Sequence, residues 1–163
     1  MTKASNAFLM ILIIIVVVAF DQYTKWLVVQ KLNQQEYITV VPNFFNIVLT
    51  YNKGAAFGLF SGVHNDLIRH LLLGISTMLA LGTVIYLLGR EYLSDMIARS
   101  ALGMILGGAI GNIIDRIVHG AVVDFLDVYY KDYHWPAFNV ADSAIFVGVV
   151  ILLLHSPRPN RVD

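Results

Sequence analysis

Four long apolar stretches, residues 7–29, 67–88, 97–118 and 137–154, dominate the pattern of this chain, and short polar links separate them. Each is close to the ~17–25 residues that a helix needs to cross a bilayer. The pattern predicts four transmembrane helices within a single membrane-embedded domain over residues 1–163. Between the first two stretches, Phe45, Ile47, Leu49 and Tyr51 alternate with Asn46, Val48, Thr50 and Asn52, the two-residue period of a strand. The expected fold class is an all-α integral membrane protein of four spans with a small β-containing segment outside the bilayer.

Composition agrees. Of 163 residues, 58% are hydrophobic and 13% charged, against about 25% charged in soluble domains. A lysine ahead of the first apolar stretch resembles the start of a secretory signal, but no small-x-small cleavage site follows, so the stretch reads as a retained helix. The chain has no cysteine, which removes disulfides, thiolate nucleophiles and thiolate metal sites. Its formal net charge of zero offers no general attraction for nucleic acid.

Polar residues interrupt the apolar pattern at selected places. Asp21 and Lys25 fall near the end of the first span, and Asn112, Asp115 and Arg116 near the end of the third. Asn139 and Asp142 open the fourth, while Asn52 and Asp124 lie in the loops between. In a chain of four spans these positions share one membrane face, whichever way it inserts. Ionisable groups cost roughly 2.5–3.5 kcal/mol each near the bilayer centre on insertion scales, which makes a functional site the default explanation. Orientation is less marked. Loop and terminal cations, counted as Lys3, Arg90, Arg99, Arg158 and Arg161 against Lys31, Lys53 and Lys131, give five against three in favour of termini inside; adding the span-end cations removes the bias.

Each polar group also has a plainer reading. Asp21 and Lys25 are four apart and suit an ion pair at the interface, the lysine reaching up to the headgroups. Asp115 and Arg116 suit a neutralising pair. Asn139 and Asp142 suit the cap and third residue of a helix start; if that helix begins near Pro136, Asp142 lies about 9 Å along it. Of Asp124 and Asp127, one reads as a solvated loop charge, and spacing alone leaves open which. Gly103, Gly107 and Gly111 form a stripe suited to close helix packing.

Chemical alternatives narrow quickly. There is no HExxH and no GxSxG, no serine beside a telling lysine, and Asp115 with His119 has no second pair to complete a metal site. Two carboxylates remain the best-equipped pair, since in a low-dielectric site they share one proton and divide acid and base roles. A proton-coupled transporter would place polar groups on both faces and often show an internal repeat, and neither is evident. An assembly factor packed through the glycine stripe would not need both Asp124 and Asp142.

"DQYTK" at 21–25, "YNKGAAFG" at 51–58, "GGAIGNIIDR" at 107–116, "VVDF" at 122–125 and "FNVADS" at 138–143 occur in that order across nearly the whole chain. Together they closely resemble the bacterial lipoprotein signal peptidases, or signal peptidase II. The resemblance implies an intramembrane aspartic endopeptidase of the inner membrane that cuts prolipoproteins before a diacylglyceryl-modified cysteine. By match to the motifs, Asp124 and Asp142 would be the catalytic pair. Asn52, Gly54, Gly108, Asn112, Arg116 and Asn139 would bind substrate or organise the site, and Asp21, Lys25 and Asp115 would maintain it. The resemblance also implies cytoplasmic termini and a site near the periplasmic face. Expected partners are lipidated prolipoproteins and membrane lipids, with no nucleic acid, no obligate protein partner, no cofactor and no metal.

Overall fold

The structure, a computed structural model, describes residues 3–34, 36–53, 82 and 95–155. The span predicted over 67–88, Gly54, and most of the glycine-rich stretch and charged link beside that span lie outside the described residues. Within them the order is helix α1 (Lys3–Lys31), strands β1 (Tyr37–Val41) and β2 (Phe45–Asn52), helix α2 (Met96–His119), strands β3 (Val122–Tyr130) and β4 (Tyr133–His134), and helix α3 (Val140–Leu154).

Helices α1 and α2 are each long and apolar enough to cross a bilayer. Phe8, Ile11, Ile15 and Phe20 of α1 and Phe146 and Leu153 of α3 stand exposed. That display would be a liability in water and is ordinary against lipid. Only 11% of the apolar window of α1 is buried, against 50% of that of α2, so α2 is the central helix. It packs against both α1 and α3.

Glycine makes those contacts close. A methyl group on Gly103 would meet Met10 and Ile13 of α1 at 3.1–3.3 Å, and one on Gly107 would meet Val17 at 2.8 Å. On the α3 side, a methyl group on Gly108 would collide with the Ala141 carbonyl, and one on Gly148 would reach the Ala101 carbonyl at 2.7 Å. The predicted stripe is therefore a packing surface, and Gly108 extends it toward α3. Asp95 caps α2 by accepting from the N–H groups of Ile97 and Ala98. Gly120, at φ 69°, ends it in the left-handed conformation that a side chain would strain.

The expected β-containing segment is present, and it is large enough that the all-α label does not fit. It is a four-stranded antiparallel sheet in the order β1-β2-β3-β4, so the described fold is helices plus sheet. Alternation exposed β2, but β3 has none to find, because Val122 to Phe125 are all buried. A strand covered on both faces reads as an unbroken apolar run.

Register sets the directions of the polar side chains. Asn46 pairs with Asp127 and Thr50 with Asp124, and the pairing slips by one residue between Ile47 and Thr50. Asp124 and Asp127 are an odd number apart on a regular strand and so face opposite sides of the sheet. The extra residue in β2 turns that strand over between its two asparagines. Asn46 consequently meets Asp127, and Asn52 meets Asp124.

Candidate active site

The site grows from the C-terminal ends of α1 and α2 and the N-terminal end of α3. On α1, Asp21 and Lys25 are one turn apart, and their side chains meet at 2.8 Å. They are 0% and 3% exposed, so the lysine does not reach to headgroups. It turns inward because it has two further partners, Asp115 of α2 at 2.8 Å and the side-chain oxygen of Asn112 at 3.1 Å. The ion-pair partner of Asp115 is thus Lys25, and the expected pairing of Asp115 with adjacent Arg116 gives way to one across helices. A buried cation with two carboxylates and an amide oxygen satisfies the demand that charge taken out of water be paired.

These carboxylates also hold backbone. Asp21 Oδ1 accepts from the Ala141 N–H at 2.9 Å, tying α1 to the first turn of α3. Asp115 Oδ2 accepts from the Val123 N–H at 3.0 Å, fixing the start of β3 beneath α2. Gln22 completes the cluster by donating to Asp115 Oδ1 at 2.8 Å and to the Gly111 carbonyl at 3.2 Å. Sequence reasoning passed over Gln22, although it stands inside the "DQYTK" motif beside Asp21.

The second layer contains the aspartates singled out from the sequence. Asp124 projects from β3 and accepts from Asn52 Nδ2 at 3.0 Å and from Asn139 Nδ2 at 2.7 Å. Residues leading to α3 run alongside β3, where the Phe138 carbonyl accepts from the N–H groups of both Phe125 and Leu126. That pairing delivers Asn139 to Asp124. Asn139 is also the N-cap of α3, its side-chain oxygen accepting from the Asp142 N–H at 2.9 Å. The helix begins at Val140 rather than near Pro136, because the preceding residues pair with the strand. Asp142 accordingly sits in the first turn, not 9 Å along. Its carboxylate does more than cap, since Asp142 Oδ1 accepts from Asn112 Nδ2 at 2.8 Å.

Asp124, Asp142, Asn52, Asn112 and Arg116 line one cavity of about 420 Å³, whose other wall is the apolar Val122, Phe138, Ile145, Phe146 and Val149. Its volume falls within the usual range for ligand pockets. Burial pushes the Asp124 carboxyl up to about 7, with the charge of Asp142 adding to the rise and the Asn52 and Asn139 hydrogen bonds opposing it. Arg116 donates from Nη1 to the Asn112 carbonyl at 3.2 Å, while its buried Nε has no hydrogen-bond partner among the described residues. Its charge acts on Asp142 and Asp124. The cavity thus combines two carboxyl groups, one of them pushed up to about 7, a guanidinium and an apolar wall.

Of the predicted site residues, Asp21, Lys25, Asn52, Asn112, Asp115, Arg116, Asp124, Asn139 and Asp142 converge, and Gly108 supports them from the α2–α3 contact. Neither Asp124 nor Asp127 is the solvated loop charge expected of one of them, since Asp127 is buried as well. It is 6% exposed, accepts from Asn46 Nδ2 at 3.1 Å, and lies 2.8 Å from Nδ1 of His134. Its place on the far face of β3 separates it from the cavity of Asp124.

The family model described as signal peptidase (SPase) II matches residues 13–158. A lipoprotein signal peptidase of Syntrophotalea carbinolica is 50% identical over 157 residues, covering 96% of this chain and 95% of that protein. The lipoprotein signal peptidase of Solibacter usitatus is 43% identical over 146 residues, covering 88% and 87%. A solved structure described as a bacterial membrane enzyme superposes with a TM-score of 0.74 at 34% identity, covering 89% of this chain and 90% of the other. With the family model spanning most of its length and relatives matched nearly end to end, this chain belongs to the signal peptidase II family.

Proposed function

We propose that this chain is an intramembrane aspartic endopeptidase that removes signal peptides from diacylglyceryl-modified prolipoproteins, cutting just before the lipidated cysteine. Asp124 and Asp142 act as its dyad. The observation that carries this reading is that both carboxyl groups line one cavity, each held by its own asparagine amide.

In the proposed dyad Asp124 starts with the shared proton, in keeping with its desolvated position, and Asp142, which lines the same cavity as Arg116, takes the base role. A water between them gives a proton to Asp142 as its oxygen attacks the scissile carbonyl carbon, and Asp124 protonates the carbonyl oxygen. The tetrahedral diol then collapses. One hydroxyl proton returns to Asp124, the proton held by Asp142 passes to the departing nitrogen, and the carbon–nitrogen bond breaks. The products are a signal peptide with a new carboxyl group and a lipoprotein with a free amino group on its cysteine. The pair ends as it began. Each proton moves between a carboxyl group and a substrate atom or water, the task for which a pair with separated pKa values is suited.

The apolar wall formed by Ile145, Phe146 and Val149 suits a substrate whose signal segment and acyl chains remain in lipid. The reading places the protein in the bacterial inner membrane, with cytoplasmic termini and the cavity near the periplasmic side. Incubating purified protein with a lipidated prolipoprotein tests it: signal-peptide release is expected, and a protein that releases none while folded would overturn the assignment.

A further inference from the structure

A second cavity, of about 800 Å³, lies on the Asn46 and Asp127 side of the sheet. Its walls include Thr39, Thr50 and Tyr129, and Trp135, Pro136 and Ala137 belong to both cavities. One short segment therefore separates the candidate catalytic cavity from this groove. The two differ in chemistry. The catalytic cavity has an apolar wall on α3, whereas the groove sets hydroxyls, an amide, carboxylates and an imidazole among apolar residues such as Val48 and Leu49, and is the more polar of the two.

The groove also contains an unmet acceptor. Asn46 is 6% exposed, and its Nδ2 donates to Asp127 Oδ2 at 3.1 Å, which fixes the amide orientation because a carboxylate only accepts. Its Oδ1 is buried with no hydrogen-bond partner among the described residues. Buried polar atoms are seldom left so, and a donor arriving with a ligand would satisfy this one. Asp127 is occupied on its other side by His134, which stacks on Tyr129 with ring centroids 5.0 Å apart. These contacts hold the groove floor in shape. Beside it β1 forms one edge of the sheet, and all its residues are exposed.

We propose that this groove is a second substrate subsite, taking the extended polypeptide on the carboxyl side of the scissile bond, with Asn46 Oδ1 accepting one of its backbone N–H groups. The inference rests on the peptidase reading above. A chain crossing the scissile bond passes from an apolar segment to a more polar one, in keeping with the rise in polar groups from the α3 wall to the groove across Trp135–Ala137. An extended peptide offers the regular N–H donors that the lining of acceptors suits.

Two lipidated precursors test this, one with about ten residues after the lipidated cysteine, reaching roughly 33–36 Å when extended, and one ending two residues after it. For the unsubstituted protein, shortening should raise KM on the order of tenfold, the equivalent of one well-made contact, with kcat little changed. Thr39→Trp, at an exposed position on the groove wall, should raise KM for the long precursor by a similar factor. Because both changes remove the same contacts, combining them should be no worse than either alone. Equal KM for the two precursors overturns the proposal, as do losses that multiply. A Thr39→Trp effect that follows vesicle headgroup composition rather than tether length would assign the groove to lipid and also overturn it. Should Thr39→Trp fail to fold, competition by an unlipidated peptide of the ten-residue tether serves instead: inhibition of long-precursor cleavage is expected, and none at millimolar peptide overturns it. Cleavage of neither precursor by the unsubstituted protein would instead sink the peptidase reading.

Discussion

Asn112 and Asn139 touch side chain to side chain at 3.2 Å, and each holds a different aspartate: Asn112 donates to Asp142, Asn139 to Asp124. The pair joins a central helix to the cap of the last one. Because Lys25 donates to the same Asn112 oxygen, the buried ion cluster orients the amide that meets Asp142. The carboxyl groups are thus set relative to each other through a shared amide bridge, with charge compensation one layer behind.

Asp124→Asn and Asp142→Asn should each lower the cleavage rate at least about a thousandfold, because the amide keeps the shape and loses the proton transfer. The double substitution should be little worse than either single one, as for residues acting as a unit. Initial rates on a lipidated precursor at equal folded-enzyme concentration check this. Near-normal turnover by Asp142→Asn would reduce that residue to a helix cap.

The pH dependence follows from Asp124. If it supplies the proton to the carbonyl oxygen, kcat/KM should fall on the alkaline side with a midpoint near its value of about 7. The Asn52 hydrogen bond lowers that value, so Asn52→Ala should move the alkaline limb to higher pH. Stability has a definite sign as well. The folded carboxyl binds its proton more tightly than the unfolded one, whose ordinary value is 3.8. The favourable contribution is therefore full below pH 4, is lost as pH rises toward 7, and levels off above. Thermal unfolding in detergent across pH 4–8 should show this decline in the unsubstituted protein and lose most of it in Asp124→Asn.

Lys25→Met should destabilise by roughly 3–5 kcal/mol, since it leaves two carboxylates buried without their cation. Adding Asp115→Asn should recover part of that loss by removing one orphaned charge. Unfolding midpoints of the single and double variants decide it, and an absence of recovery would mean that the cluster is not held by charge pairing.

Glycine positions should divide by what surrounds them. A methyl group on Gly111 would lie 2.5 Å from Asp21 Oδ2, so Gly111→Ala should displace the carboxylate that holds Ala141 and lower both stability and activity. A methyl group on Gly120 would meet nothing within 4 Å among the described residues, but φ there is 69°, and Gly120→Ala should cost mainly the left-handed backbone strain of about 1–2 kcal/mol. Comparing their cleavage rates below both unfolding midpoints separates the two effects.

Cysteines introduced at exposed Asn33 and Lys131 should react with an impermeant thiol reagent from the periplasmic side of intact cells. Reaction from the cytoplasmic side alone would reverse the proposed orientation.

Much of this site was legible in sequence because cost marks it. Asp21, Lys25, Asn112 and Asp115 stand out against apolar surroundings, and the order of the helices brings their ends together. The alternation of β2 was visible for the same reason, one face being polar. What escaped depends on contacts between distant segments. Nothing in "DQYTK" says that Lys25 points inward, since that follows from Asp115 arriving on another helix. Nor does "VVDFLD" separate its two aspartates until the segment is known to be a strand, when an odd spacing places them on opposite faces. The role of Asn46 depends further on the extra residue in β2, which has no local signature in the sequence.

The hydrogen bond from Ala141 to Asp21 closes a span of 120 residues. At about 5–20 residues per second, a ribosome needs roughly 6 to 24 s to make the chain between them. For that interval Asp21 waits for a partner not yet synthesised, and Asp124 emerges before Asp142. On the proposed mechanism the nascent chain would stay inactive over that interval, because Asp142 arrives with the helix whose first turn Asp21 is waiting to hold.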